Sequence, residues 1–474
     1  MPANPALPDR RGFPRPPRGP AGRSSAAPVD LTDPRIRIGH LMRRAGFGLT
    51  PAEMDHCLTL DVEALTDRLL TPDTRPDPAE AKLAGIELDL AQTSHNQRWW
   101  LIRMLSTNRP LVEKMVLFWH GLLTSGVAKL GSQHLAKLRN QNQLFRDTPF
   151  PTYDQLLKAI AKDPAMMLWL DLANSSRRAP NENFARELME LFTIGPGNYT
   201  EQDVKEAARA LTGWRIDADG NSYFDPSRHD SGSKTFFGRT GALSGDDIVD
   251  ILLQQPTAGP FICRALFRFF VHDRPSEATI QSLAQTFTSS GHDIKPVLRQ
   301  ILTGPDFYSA EAFRSRPKSP AELVVTMIRG LGLDSDFTNL PGQMARMGQE
   351  LFNPPNVAGW PGGAAWLSNT SWFYRLNFAD AVVRPTNSFA GPLDTQKLID
   401  DHAIGTAGQL TDHLILTLLD GVAHDSVRAA LIAYASAGAV AGAATPLPAN
   451  AITRDRRVRG TVYLALAAPE FQLG

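Results

Sequence analysis

From Leu31 onward the apolar residues recur at three- and four-residue intervals, and that period points the whole chain toward helices. It is plain in "PTYDQLLKAIAKDPAMMLWLDL" (151–172), "DDIVDILLQ" (246–254), "GPFICRALFRFFV" (259–271) and "IKPVLRQILTG" (294–304). Helix boundaries are written beside the period. Thr200, with Asp203 three residues on, reads as a capping box opening "EQDVKEAARALTGW", and Gly213 stands where that helix has to stop. Strand signals are sparse. The clearest is "WRIDADGNSYF" (214–224), where Asp219-Gly220 between alternating arms predicts a hairpin. The expected class is mainly α: a multi-helix globular domain with a small β-hairpin insertion and long ordered loops.

The chain has 474 residues, more than one ordinary core holds, so two or three domains, or one large helical domain with insertions, are expected. Residues 1–30 hold eight Pro and five Arg without an apolar run, which predicts a disordered Pro/Arg-rich tail. The sequence then reads as a main helical domain over 31–384 and, after the linker-like "RPTNSFAGPLDTQ", a C-terminal helical extension over 385–474 packing on it. Arg10-Arg11 is followed by "GFPRPPRGP" instead of the apolar stretch of an export signal, so the sequence by itself reads as cytoplasmic. No apolar run reaches the length of a membrane helix, the Ala/Gly stretch 429–445 being the nearest approach.

Lys plus Arg equals Asp plus Glu at 49 each, a balance that argues against nucleic acid or a membrane surface as a bulk partner. The two cysteines, Cys57 and Cys263, are far apart and form no CxxC, so neither a disulfide framework nor a thiolate metal site is expected.

Chemistry is concentrated in four stretches. In "NENFARELMELFTIGPGNYTE" (181–201), Phe184, Leu188, Leu191 and Phe192 make a stripe to be buried, while Glu187 and Glu190 sit about 60° apart on the other side of the helix. Arg186 has the i,i+4 spacing for a salt bridge with Glu190. A Glu-x-x-Glu pair can supply an acid and a base or bridge a divalent metal, whereas a solvated face with a weak ion pair is the plainer alternative. "SRHDSGSKTFFG" (227–238) fails the Walker A pattern, yet packs His229, Asp230 and Lys234 into six residues, a cluster able to hold an anionic or hydroxylated ligand. His120, in "FWHGLLTSG" (118–126), is a metal-ligand candidate with Glu187 and Glu190, or else a core histidine. "NPPNVAGWPGGAAW" (353–366) offers Trp360 and Trp366 on a proline-stiffened loop, either as a platform for sugar rings or as plugs onto the core, with Asn353 and Asn356 capping turns.

The stretches "RRAGFG" (43–48), "FWH" (118–120), "NENFARELMELFTIGPGNYTEQDVKEAARALTGW" (181–214), "HDSGSKTFFG" (229–238), "FRSRPKSPAELV" (313–324) and "ELFNPPNVAGWPGG" (350–363) together resemble the bacterial family known as "domain of unknown function 1800". They span about residues 35 to 380 in the family's order. The resemblance implies no particular reaction. It does imply frequent export and a gene neighbourhood that includes a sulfatase-like protein. The chain departs from the family pattern after His120, where Gly121-Leu122-Leu123 replaces polar or aromatic residues and weakens a two-histidine metal site at that helix end.

The functional expectation is that helix ends and loops near Glu187, His229 and Trp360 converge on one polar cleft. One form of it is a carboxylate-based hydrolase of envelope or extracellular polysaccharide, with Glu187, Glu190, His229 and Asp230 catalytic and Arg186, Lys234, Asn356, Trp360 and Trp366 binding substrate. A second is a non-catalytic assembly partner of the sulfatase-like protein, in which Arg186, Glu187 and Glu190 pair with residues such as Arg209 or Lys234 in a buried network. A metal-dependent oxidoreductase within a helical bundle is a third, though the Glu-x-x-His motif of such sites is missing.

Overall fold

The computed structural model describes residues 29–334, 336–386, 390–436 and 442–474. The proposed tail falls almost wholly outside these residues. Helices dominate as the apolar period requires, and the strands described form just two antiparallel hairpins. The first pairs Trp214–Ile216 with Ser222–Phe224 around Asp219-Gly220, in the register Trp214 opposite Phe224 and Ile216 opposite Ser222. The second, Lys234–Phe236 with Arg239–Gly241, is built from the loop that carries His229 and Asp230 and has no counterpart in the sequence reading. The capping box at Thr200 and Asp203 is present and opens the helix Glu201–Ala210. Gly213 follows at φ +98°, a conformation that costs glycine no Cβ strain.

One contiguous apolar core runs through the molecule. The helix Pro110–Leu122 is central to it, buried from Leu111 to His120 and mostly apolar, with Glu113, Lys114 and His120 as its buried polar residues. The helix Thr93–Ser106 lies against it and is tied to distant chain by Gln97 Nε2, which donates to the Leu351 carbonyl at 3.0 Å. Several of the polar groups that enter this core are paired. Glu113, 2% exposed, takes Nε and a terminal nitrogen of Arg146 at 2.5 and 3.0 Å.

Residues beyond 385 are bound to the rest through backbone as well as side chains. Arg459 donates to the Val383 carbonyl at 2.8 Å, Arg314 to that of Val422 at 2.8 Å, and the Lys318 amide to Gln472 at 2.9 Å. Among the described residues no helix is long and apolar enough to cross a membrane. Cys57 and Cys263 are both free and buried.

Candidate functional site

The acidic helix of the opening motif begins at Asn181, whose side chain caps the Asn183 amide, and runs Glu182–Glu187 before widening into a π-helical segment, Leu188–Thr193. The Ile194 amide reaches back five residues to Met189 at 2.9 Å. Phe184, Leu188 and Phe192 are fully buried, as the stripe requires, whereas its fourth member, Leu191, is half-buried. The ion pairing differs from the i,i+4 expectation. Arg186 turns to Glu201 on the following helix, donating through both terminal nitrogens at 2.7 and 2.8 Å, because a two-pronged guanidinium–carboxylate contact outweighs a single-point one. Glu190 instead accepts the Tyr199 hydroxyl at 2.5 Å. Glu187 is left half-buried and, among the described residues, without a hydrogen bond or ion pair. Burial first, and the neighbouring Glu190 second, hold its carboxyl above the ordinary glutamate range, against the pull of Arg186.

The His229–Lys234 loop is self-contained. Arg209 clamps Asp230 through Nε at 2.8 Å and Glu206 at 2.8 Å. His229 Nδ1 lies 2.9 Å from the Thr212 carbonyl, and Lys234, 1% exposed, donates to the carbonyls of Asp230 and Gly232 at 2.5 and 3.0 Å. Arg209 and Lys234 thus serve this loop, and neither pairs with Arg186, Glu187 or Glu190. Asn356, exposed, closes an Asx turn onto the Ala358 amide at 2.9 Å.

A different set of sequence stretches does meet. Trp360 and Trp366 line one cleft of about 260 Å3, together with Phe118, Arg268, Asp273, Arg316, Glu322 and Gln349. Glu187, Glu190, His229 and Asp230 are not among its walls. The loop that carries Trp360 is pinned at its stem, where Thr124 Oγ1 donates to the Val357 carbonyl at 2.6 Å and the Val127 amide to that of Phe352 at 2.9 Å. It then presses onto the end of the central helix so closely that a Cβ at Gly359, whose φ is +79°, would fall 2.1 Å from the Gly121 carbonyl oxygen. Only glycine fits there.

Charge is distributed unevenly around this cleft. Glu322 is bound to the buried Lys114 of the central helix, and its Oε2 takes the Ser319 amide at 2.8 Å in a capping box. Burial works against the Glu322 charge, but Lys114 and Arg316 beside it hold the carboxylate well below its usual range. It is therefore a fixed anion and cannot act as a proton donor near neutrality. Lys114 is satisfied further by the Gly46 carbonyl at 3.0 Å, which brings the "RRAGFG" stretch to the same place. Arg268 and Arg316 are the exceptions: among the described residues neither guanidinium makes a side-chain hydrogen bond or an ion pair, and Arg316 Nε is a buried donor without an acceptor. Burial lowers the affinity of Arg316 for its proton, while the fields of Glu322 and Asp273 support its charge.

Behind Trp360 lies His120, wholly buried, in a cage of Trp100, Phe352 and Trp360 with ring centroids at 5.1, 5.7 and 5.5 Å. Neither imidazole nitrogen has a partner among the described residues, and burial pulls its pKa down to about 3. Among the described residues no group of three or more His, Cys, Asp or Glu is placed to hold a metal ion.

Sequence reasoning singled out Trp360, Trp366 and His120 but missed Arg268, Arg316, Lys114 and Glu322. The available signal was "FRSRPKSPAELV", three cations opening a helix whose Ser319-x-x-Glu322 is a capping box. A family model described as "Protein of unknown function (DUF1800)" matches residues 40–473 of this chain. No curated protein and no solved structure matches it.

Proposed function

The chain belongs to this family of unknown function, and from that premise we propose that it binds an anionic sugar unit in the Trp360 cleft. The observation that carries the reading is the presence of two guanidinium groups without a side-chain hydrogen bond or ion pair among the described residues, Arg268 and Arg316, with two indoles, Trp360 and Trp366, on the walls of one cleft. A guanidinium fork suits a sulfate, carboxylate or phosphate held two-pronged. An indole face suits the apolar face of a ring. Two wall carboxylates, Asp273 and Glu322, are set against the wall cations Arg268 and Arg316 and the buried Lys114 behind Glu322, so the surroundings of the cleft carry one positive charge in excess and favour a negative guest. Trp366 is only 5% exposed, so the half-buried Trp360 is the indole that has a face free for a ring to lie against. A volume of about 260 Å3 is at the small end of ligand clefts and suits one substituted ring, such as the end or a single unit of an envelope or extracellular polysaccharide. The test is equilibrium binding of a heparin-derived disaccharide, bearing sulfate and carboxylate, against neutral cellobiose, read by indole emission. Equal responses to the two, or none to either, would sink the reading.

A second reading places carboxylate chemistry on the acidic helix, with Glu187 as the proton donor and Glu190 as its partner in hydrolysis. It is favoured by one observation: the Glu187 carboxyl is unpaired and held toward its protonated form. Glu187→Gln should then abolish hydrolysis of an anionic polysaccharide while leaving disaccharide binding in the Trp360 cleft intact. Unaltered hydrolysis in a folded variant argues the other way.

A further inference from the structure

Burying an imidazole with both nitrogens unpaired forfeits the hydrogen bonds that water would give it, so such an arrangement calls for a compensating role. His120 is in that state, and Trp100 Nε1, in the same cage, is also an unpartnered buried donor. Of the three rings around His120, Trp360 is the one that also lines the cleft. His120 is followed directly by Gly121, itself a cleft residue, and a Cβ there would stand 3.8 Å from the Trp360 ring. One indole thus touches both the buried imidazole and the ligand cleft, and can serve as the partition between them.

The partition is built differently from its supports. The loop stem is held by three hydrogen bonds, from Thr124 to Val357, Val127 to Phe352, and Ala128 to Asn353 Oδ1 at 3.0 Å. Beyond it, Trp360-Pro361 is followed by Gly362 and Gly363 at φ +65° and +53°, with open space where a Cβ of Gly362 would stand. Such residues absorb backbone rotation at low steric cost and are where hinged segments bend. Trp360 is half-buried, whereas Phe352 and Trp100 are fixed in the core.

We propose that His120 is a hydrogen-bond-accepting group of this cleft, kept behind Trp360 until the indole swings aside for a ligand hydroxyl. The ligand O–H then donates to the neutral imidazole nitrogen. This rests on the reading of the cleft as an anionic-sugar site, and the experiment separates the two. Diethyl pyrocarbonate acylates an accessible neutral imidazole, and mass spectrometry of the folded full-length chain locates each acylated histidine. In the wild type, His120 should react at least tenfold more slowly than the exposed His56. In Trp360→Ala, or Trp360→Leu should the alanine variant not fold, it should react at least tenfold faster than in the wild type, with the other sites unchanged. A folded variant whose His120 stays unreactive overturns the partition. His120→Gln should weaken heparin-disaccharide binding at least fivefold, and unchanged affinity overturns the hydrogen-bonding role. If the disaccharide binds no variant and not the wild type, the sugar reading fails, while the acylation result still decides the partition.

Discussion

The indole of Trp360 stands 5.5 Å from the imidazole of His120, ring centre to ring centre, although 240 positions separate them in the chain. That contact joins the end of the central helix to the glycine-rich loop, and Trp360 lines the same cleft as Arg268 and Arg316.

His120 makes stability depend on pH. In the unfolded chain its imidazole titrates near 6.5, whereas burial pulls it down to about 3 in the folded protein. Between those values the unfolded state binds a proton that the folded state refuses, so the contribution is complete above pH 6.5 and is lost as pH falls. The loss is about 1.4 kcal/mol per pH unit across that window. Urea unfolding at pH 7, 6, 5 and 4 should show it, and His120→Gln should flatten the slope.

Glu187 has the opposite sign. Its folded pKa is raised, so between the ordinary glutamate value and the raised one the folded state binds the extra proton. Stability contributed by this group is present at acid pH and falls as pH rises through the window. Glu187→Gln is expected to leave the melting temperature at pH 7 unchanged or higher. A clear drop would mean that Glu187 holds a structural partner in solution.

Breaking the Lys114–Glu322 pair strands a buried ammonium. Lys114 is 1% exposed, and Glu322→Gln removes the charge that balances it. The expected cost is about 3–5 kcal/mol of folding free energy, measured by urea denaturation. Lys114→Met combined with Glu322→Gln should recover much of it.

Arg209 organises the loop of the second hairpin through Asp230, Glu206 and the Ser233 carbonyl at 3.2 Å. Arg209→Ala should speed amide exchange across 229–236 at least tenfold and leave disaccharide binding at the Trp360 cleft as it was. Lost binding would tie this loop to the ligand.

The parts of the fold legible in the sequence are those whose causes are local. The hairpin at 214–224 follows from Asp219-Gly220, and the helix start at Thr200 from a residue three positions away. The π-helical segment at 188–193 was not legible, because Phe184, Leu188 and Phe192 share a face whether the turn is α or slightly wider. The site was half legible. Trp360, Trp366 and His120 are conspicuous side chains, but Arg316 and Glu322 acquire meaning only from Lys114, 208 positions from Glu322, and no periodicity encodes such a meeting. The Glu187 and His229 stretches drew attention by their density of charge. That density is used mostly within each stretch and its neighbouring helix, by Glu201, Tyr199 and Arg209.

The central claim is that Arg316 recognises the anionic group of a sugar beside Trp360, and calorimetric titration of heparin disaccharide into wild type and Arg316→Ala tests it most directly. The expected result is one site per chain in the wild type and an affinity at least tenfold weaker in the variant, in line with the loss of a charge-assisted two-pronged contact worth about 1.5–3 kcal/mol. Equal affinities in two folded proteins, or no binding to the wild type, would contradict it.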